Sequence, residues 1–355
     1  MTARITPALL VTRAATGVYA PDVLELATRE LPELADGELL LRVLYLSLDP
    51  TNRNWLKLES VNTLRQKIGR DLTVGDPMVG EILGLVEESR DPAYSAGDVV
   101  AGVGEWQERT VVPAARMRRV ERGEEPLAAH LTIFSHIGLA AMAGLHAVAR
   151  IQAGETVLVS AAAGATGRLA VAAATAHGCR VIGIAGGAEK CADVIAAGAV
   201  AAIDYRAVDD LADAIRRAAP EGVDVYFDNV GGSTLDAALT AMSPGGRIAV
   251  CGVMSDYDAG EDRHGIRNMF QVLVRHLRIE GFLAGHYWDQ REEFYATLRE
   301  LLADGRIEHR ADEAVGLAAA PVHLSKLFAG TNRGKLLVRV ADPDLPERSR
   351  LSERS

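Results

Sequence analysis

Short apolar segments alternate with alanine-rich segments through the middle of this chain. The apolar segments at 155–160, 180–185, 201–205, 223–230 and 246–253 predict strands. The segments between them predict helices at 165–178, 188–197, 208–219 and 233–242. Strands joined through helices form βαβ units, which build a parallel sheet with helices on both faces. The alternation therefore predicts a doubly wound α/β domain.

The first 125 residues follow a different pattern. Apolar stretches at 37–48, 78–89 and 97–112 are separated by glycine and proline, which predicts a twisted, mostly antiparallel β module. Near the other end, a charged helix is predicted at 289–304 and a further strand at 334–340. A chain of 355 residues is long enough for two domains.

Charge and cysteine content exclude several classes of function. The formal net charge is −10, which argues against binding a nucleic-acid backbone as the main task. Cys179, Cys191 and Cys251 form no CxxC pair, as is typical of proteins in a reducing compartment. We find no signal-peptide pattern and no uninterrupted apolar stretch long enough for a bilayer. We therefore expect a cytoplasmic protein with a small-molecule substrate and no nucleic-acid or membrane partner.

A glycine-containing turn connects the first predicted strand of the α/β region to its helix. Residues 161–167 read AAAGATG, with Gly164 and Gly167 three positions apart. Glycine lets the backbone approach a pyrophosphate, and the helix N-terminus offers free N–H groups and a positive dipole end. Ala161 replaces the first glycine of the usual pattern, so the strand–turn–helix context carries the prediction of a dinucleotide site.

The end of the second predicted strand indicates which dinucleotide is bound. NAD-specific sites carry an acid there that binds the ribose hydroxyls, whereas this strand ends in Ala185, Gly186 and Gly187. Lys190 follows within the next helix and suits a 2′-phosphate. Glu189 is interpreted as a helix-start acid favoured by the dipole. From spacing alone, an exposed helix lysine is the alternative interpretation of Lys190.

Eight motifs in order resemble those of the zinc-independent medium-chain dehydrogenase/reductases. They are LYLSLDPTNR, GEWQ, VSAAAGATG, GIAGGAEKC, AAIDY, VDVYFDNVGG, CGVMSDY and GTNRGKLLVRV. Within that family they are similar to the prostaglandin reductase, leukotriene hydroxydehydrogenase and curcumin or alkenal reductase group. The resemblance implies a GroES-like β-rich domain at 1–125 and 315–355 and a Rossmann domain with a doubly wound parallel sheet at 126–314. It also implies a homodimer formed near 246–285.

The resemblance further implies NADPH-dependent reduction of the carbon–carbon double bond of α,β-unsaturated aldehydes or ketones. By position, the implied cofactor-binding residues are Gly164, Ala165, Thr166, Gly167, Lys190, Tyr205, Asn229, Cys251, Gly252, Val253, Ser255, Tyr257, Phe282, Leu283, Ala284 and Asn332. The first four form the pyrophosphate turn, Lys190 and Tyr205 lie at the 2′-phosphate, and the residues from 251 to 284 face the nicotinamide.

Tyr257 is the candidate catalytic residue. A phenol with a reference pKa of about 10 stays protonated at neutral pH and can donate a hydrogen bond to the developing enolate oxygen. The alternative is that Tyr257 only packs on the cofactor. The candidate substrate pocket comprises Thr51, Asn54, Trp106, His136 and Tyr287. Thr51 stands where many family members carry an aromatic residue, and His136 lies in a stretch, 135–142, that departs from the family pattern.

We expect no metal. No cysteine precedes Cys179 and no histidine precedes His130, so the first domain cannot supply the usual ligands of a tetrahedral zinc. One alternative function is a quinone oxidoreductase of the same fold. Another is a non-catalytic NADPH-binding partner protein, and a third is oxidation of a hydroxy-lipid with NADP.

Overall fold

The structure is a computed structural model that describes residues 4–58, 68–121, 123, 125–257 and 264–342. Its larger sheet is mixed and has the strand order β14-β15-β3-β4-β5-β7, with β6 also paired to β3. These strands are β3 (Glu38–Leu48), β4 (Val79–Ser89), β5 (Val99–Glu105), β6 (Arg109–Pro113), β7 (Met117–Arg119), β14 (Ala311–Val315) and β15 (Lys335–Arg339). A separate antiparallel pair is formed by β1 (Ile5–Val11) and β2 (Leu24–Glu30).

The second large sheet has six parallel strands in the order β10-β9-β8-β11-β12-β13. They are β8 (Thr156–Val159), β9 (Arg180–Ala185), β10 (Ala201–Asp204), β11 (Val223–Asp228), β12 (Met242–Val250) and β13 (Arg278–Gly281). The strand order proceeds in opposite directions on the two sides of the central β8–β11 pair, with β9 and β10 on one side and β12 and β13 on the other. Dinucleotide-binding folds have the same reversal. The predicted combination of a Rossmann sheet and a β-rich unit is confirmed.

The helices connect and cover these sheets. They are α1 (Pro50–Trp55), α2 (Ala129–Thr132), α3 (His136–Met142), α4 (Ala165–Ala176), α5 (Ala188–Ala196), α6 (Leu211–Ala218), α7 (Gly232–Leu239), α8 (Met254–Tyr257), α9 (Met269–Val274), α10 (Arg291–Ala303) and α11 (Ala320–Ala329). A π-helical turn at Ala143–Ala149 continues α3, and a 3₁₀ segment at Ala284–Gln290 precedes α10. None of the described helices is long and apolar enough to cross a membrane.

Helix α3 is held tightly against its neighbours. A Cβ atom on Gly138 would lie 1.9 Å from the Ile133 carbonyl oxygen and 2.7 Å from Leu298 Cδ1 of α10. Only glycine therefore allows α3 and α10 to approach so closely. Ser135 caps the start of α3, since its hydroxyl accepts a hydrogen bond from the Ile137 N–H at 3.2 Å. The first helical residue, His136, is thereby placed beside the mixed sheet.

Some predicted elements differ from the observed ones. The predicted strand at 97–112 is two strands, β5 and β6, because β5 pairs with β4 whereas β6 crosses to β3. Strands β1, β2, β7, β13 and β14 were missed. Strand β14 begins at Ala311 and pairs with β15, so this strand belongs to the mixed sheet although it starts before the predicted limit at 315. The domain limits themselves stay a prediction.

Candidate active site

A cleft of about 1580 Å³ is lined by residues from both large sheets and from the helices between them. On one side it is lined by the carboxyl ends of parallel strands, with Ala185 ending β9, Asn229 following β11 and Cys251 following β12. Open α/β sheets bind ligands outside the carboxyl ends of their strands, where the strand order reverses. The cleft lies at that place in this fold.

The glycine turn forms one wall of this cleft. Gly164 is the N-cap of the twelve-residue helix α4, and Gly164, Ala165, Thr166 and Gly167 all line the cleft. A Cβ atom on Gly167 would lie 2.3 Å from the Ala161 carbonyl oxygen, so the turn requires glycine there. The first N–H groups of α4 have no carbonyl partner within the helix. The turn therefore fits a pyrophosphate.

Two cations converge beyond the end of β9. The Lys190 ammonium donates a hydrogen bond to the Gly330 carbonyl oxygen at 2.9 Å. A Cβ atom on Gly186 would lie 2.9 Å from the Tyr205 hydroxyl oxygen and 3.0 Å from Arg206 Nε, so both side chains fold over that glycine. Burial, and then the charge of Arg206, lowers the pKa of Lys190. The positive charges of Lys190 and Arg206 repel each other, and a bound anion between them would offset this repulsion.

Sequence reasoning missed Arg206. The order of the predicted strands could have indicated it. Strand β10 pairs with β9, and Asp204 lies opposite Ala185, so a cation just after β10 reaches the end of β9. Glu189 lies outside this group. Its side chain is 80% exposed and is 3.5 Å from the Arg333 guanidinium, which agrees with its interpretation as a helix-start acid.

A buried carboxylate organises the centre of the sheet edge. Asp228 Oδ1 accepts hydrogen bonds from the Ser160 hydroxyl at 3.1 Å, the Tyr226 hydroxyl at 2.6 Å and the Gly231 N–H at 2.9 Å. The Asn229 side-chain amide donates to the Ser160 carbonyl oxygen at 2.7 Å. These bonds join β8 to β11 at the point of reversal and fix Asn229 at the cleft. Asp228 and Ser160 were not predicted.

The predicted nicotinamide-facing residues lie along the same cleft, with one exception. It is lined by Cys251, Gly252, Ser255, Tyr257, Phe282, Leu283 and Ala284, and also by Asn332. Val253 does not line it. The Tyr257 hydroxyl lies beside Gly252, 3.8 Å from the position of a Cβ atom there. Burial raises the pKa of Tyr257, so its phenol stays protonated and can donate a hydrogen bond.

Four charged side chains form a network on the opposite wall of the cleft. The Lys335 ammonium lies 2.7 Å from Asp49 Oδ1 and also donates to the Leu48 carbonyl oxygen. His136 Nε2 lies 3.4 Å from Asp49 Oδ1, and His136 Nδ1 lies 2.5 Å from Glu81 Oε2. The side chains of Lys335 and Asp49 are 4% and 12% exposed, whereas that of His136 is 33% exposed.

The network sets the charge of its members. Burial alone would lower the pKa of His136, but Glu81 and Asp49 outweigh it and raise the pKa of His136 to about 9. Burial would raise the pKa of Asp49, but Lys335 and His136 lower it well below its usual value. At neutral pH Asp49 is therefore a carboxylate, and His136 is an imidazolium on the cleft wall.

The structure brings only some of the predicted substrate-pocket residues to the cleft. Thr51 and His136 line the cleft, but Asn54, Trp106 and Tyr287 do not. Trp106 is fully buried in the core of the mixed sheet, where a Cβ atom on Gly80 would lie 2.4 Å from its Nε1. Because Gly80 has no side chain, the Trp106 indole fits inside the core. As a pocket wall, Trp106 was a wrong prediction.

Tyr287 is not one of the residues that line the cleft. Its ring packs edge-on against Phe282, with ring centroids 6.2 Å apart. Trp288 and Tyr295 line the cleft instead. Asn54 lies on α1 with its side chain outside the cleft lining. The structure therefore does not bring Asn54 or Tyr287 to the cleft wall, and their role stays a prediction.

Comparison with known proteins adds to this geometry. Two family profiles match, one described as the N-terminal domain of oxidoreductase over residues 8–120 and one described as zinc-binding dehydrogenase over residues 165–303. The 2-alkenal reductase (NADP(+)-dependent) of Nicotiana tabacum is 35% identical over 88% of this chain and 90% of its own length. Prostaglandin reductase 1 of Bos taurus is 36% identical over 89% and 93%. This chain belongs to the medium-chain dehydrogenase/reductases.

A solved structure within this family shows the same fold with a cofactor. The crystal structure of CurA in complex with NADPH from Vibrio vulnificus matches with a TM-score of 0.86 and 30% identity, over 95% of this chain and 100% of that one. Like its relatives, this medium-chain dehydrogenase/reductase is an NADP-dependent oxidoreductase, and its cofactor is NADPH. The family, the enzyme class and the cofactor predicted from the sequence are confirmed.

The name of one matching profile raises the question of zinc in this medium-chain dehydrogenase/reductase. Asp49, Glu81 and His136 have side chains of the types that bind metals. However, both ring nitrogens of His136 face carboxylates, and the Lys335 ammonium is paired with the Asp49 carboxylate. An imidazolium has no lone pair for a metal. Nor does the described part of the chain contain a group of three His, Cys, Asp or Glu side chains that could hold a metal ion. The side chains present do not fit a zinc site.

The charge of His136 makes stability depend on pH. Its pKa is about 9 in the folded protein against 6.5 as the ordinary value, so its contribution is complete below pH 6.5 and is lost as the pH rises to 9. We expect the free energy of unfolding to fall across this interval in the native chain and to fall much less in His136→Gln, as measured by urea unfolding at each pH.

The exposed His177 offers a matched control. His177→Gln keeps the slope of the native chain. Equal slopes for the native chain and His136→Gln would contradict a charged His136.

Proposed function

We propose that this enzyme reduces the carbon–carbon double bond of α,β-unsaturated aldehydes or ketones without a metal. The observation that carries the proposal is that one cleft brings together the positions expected to bind the cofactor and the Tyr257 hydroxyl, a protonated donor. Relatives named as 2-alkenal reductase and prostaglandin reductase support it. The absence of cysteine and histidine from the first 129 residues supports a reaction that needs no metal.

The residues have separate tasks in this proposal. When bound, NADPH supplies a hydride, which adds to the β-carbon of the substrate. The turn at Gly164 and Gly167 holds the pyrophosphate, and Asn229 contacts the cofactor at the end of β11. Tyr257 donates a hydrogen bond to the carbonyl oxygen as it gains the negative charge of an enolate. The α-carbon then takes a proton from Tyr257 or from solvent.

A screen of NADPH consumption tests this function. We expect consumption with enals and enones that a chelator does not reduce. Tyr257→Phe is expected to lower kcat on these substrates by about 100-fold, the effect of losing one donor to a developing oxyanion, and to change the NADPH dissociation constant much less. Tyr94→Phe is the control, because its hydroxyl also lies near the cleft but donates to the Met117 carbonyl oxygen.

The alternatives give different results in the same screen. Consumption with quinones alone indicates a quinone oxidoreductase. NADPH binding without consumption on any of these substrates overturns the proposed function, and turnover that a chelator abolishes contradicts the metal-free reaction. An unchanged kcat in Tyr257→Phe removes Tyr257 from the chemistry.

We also propose that Lys190 binds the 2′-phosphate of NADPH, together with Arg206. Lys190→Ala removes one charge-assisted hydrogen bond, so we expect the NADPH dissociation constant to rise about 10- to 100-fold. The NADH dissociation constant should change little, because NADH lacks this phosphate. Both constants are measured by cofactor fluorescence, with the exposed Arg217→Ala as control. Equal losses for NADPH and NADH would exclude Lys190 from the phosphate site.

A homodimer is the proposed assembly. Strand β13 is an edge of the six-stranded sheet, and the preceding helix α9 exposes Met269, Phe270 and Leu273 at 53%, 67% and 69%. Large apolar side chains grouped on a surface are typical of protein interfaces, and a second copy of this chain would cover them. We expect sedimentation velocity to show a dimer for the native chain and a monomer for Leu273→Asp. A monomeric native chain would contradict the proposal.

A further inference from the structure

We propose that Tyr295 selects the substrate, because its hydroxyl donates a hydrogen bond to an oxygen atom that the substrate carries away from its reacting double bond. Tyr295 has this role only if the chain reduces enones or enals as proposed above. The substrate class is then narrower, comprising unsaturated carbonyl compounds with a hydroxyl, keto or carboxylate oxygen on the remainder of the molecule.

The first observation is a buried hydroxyl without a partner. Tyr295 lies on α10, is 2% exposed and lines the cleft. Its hydroxyl has no hydrogen-bond partner among the described residues. Buried polar side chains are nearly always hydrogen-bonded, and leaving one unpaired costs free energy. An unpaired hydroxyl at a cleft wall is explained if a ligand in the cleft accepts its hydrogen bond.

The second observation is that the hydroxyl can act only as a neutral group at working pH. Burial raises the pKa of Tyr295, and the charge of nearby Arg118 offsets this only in part. The phenol therefore stays protonated and donates. The nearby Glu81 carboxylate acts on this hydroxyl through its charge but forms no hydrogen bond with it, so the hydroxyl is available to a ligand.

The third observation is that the neighbours of Tyr295 differ from the residues expected to face the nicotinamide. Its ring packs edge-on against Phe134, with ring centroids 5.9 Å apart. The charged groups that act on it are Arg118, Glu81, Arg291 and Glu292, and none of these is a position expected to bind the cofactor. The nicotinamide-facing residues come instead from the ends of β12 and β13. Tyr295 therefore meets a part of the substrate other than the carbonyl that Tyr257 serves.

A site built around a hydrogen bond rejects analogues that lack it. An alkyl chain against Tyr295 leaves the hydroxyl buried and unpaired, whereas an oxygen acceptor satisfies it. The preference should therefore appear in kcat/KM between substrates that differ by one oxygen atom. It should also depend on where along the chain that oxygen lies, because Tyr295 is fixed on a helix.

The test uses 2-enones of one chain length, one with a plain alkyl chain and others with a hydroxyl at successive carbons beyond the double bond. For the native enzyme we expect one hydroxyl position to exceed the alkyl compound in kcat/KM by at least about 10-fold. In Tyr295→Phe we expect this preference to disappear, with kcat/KM for the alkyl compound equal to or above the native value.

Thermal unfolding separates this role from a structural one. Tyr295→Phe removes an unpaired hydroxyl, so its unfolding midpoint should stay the same or rise. Tyr19→Phe is the matched control, because its buried hydroxyl donates to the Pro321 carbonyl oxygen at 3.1 Å. We expect that variant to unfold at a lower temperature and to keep the native substrate preference.

The possible failures are distinguishable. A native enzyme that reduces the alkyl and hydroxylated enones equally well overturns the role of Tyr295 and leaves the proposed function intact. The same holds if Tyr295→Phe keeps the native preference, or if it loses activity on all enones together with stability. A native enzyme that reduces none of them overturns the proposed function, and the role of Tyr295 with it.

Discussion

The buried network of Asp49, Glu81, His136 and Lys335 is the interaction on which the arrangement of the cleft depends. Its members come from the end of β3, from β4, from the start of α3 and from the start of β15. A buried charge is tolerated only with a partner, and removing one member of such a pair leaves the other uncompensated. The four elements are therefore held in one fixed arrangement, which also fixes the shape of the substrate side of the cleft.

The cofactor side is organised in the same way around a different carboxylate. Asp228 gathers hydrogen bonds from β8, from β11 and from the turn that follows, so Asn229 reaches the cleft from a rigid base. Between the two walls, Tyr257 and Tyr295 are both kept protonated by burial. The cleft thus presents neutral donors between an ion-pair network and a hydrogen-bonded carboxylate, which suits a reaction in which charge develops on a neutral substrate.

The sequence predicted five of the six strands of the parallel sheet, because strands covered on both faces read as continuous apolar runs. Lys190 could be selected because the end of β9 lacks an acid. The ion network could not be found, since its four residues are far apart in sequence and only the β3–β4 and β3–β15 pairings bring them together. Trp106 was misjudged because an aromatic residue in a short motif does not reveal Gly80 beneath it. Tyr295 gave no signal, as it sits at a core position of an ordinary amphipathic helix.

The position of β15 has a consequence for how the chain is made. The six-stranded sheet is built from one continuous stretch between β8 and β13 and is complete before β14 and β15 leave the ribosome. The mixed sheet begins near the N-terminus but lacks two strands until residue 339 has been synthesised. Until then, Asp49 lacks its ion pair with Lys335. The domain that is started first is therefore finished last. A nascent chain stopped before Lys335 would hold a finished cofactor fold beside an open sheet in which Asp49 has His136 but not its lysine.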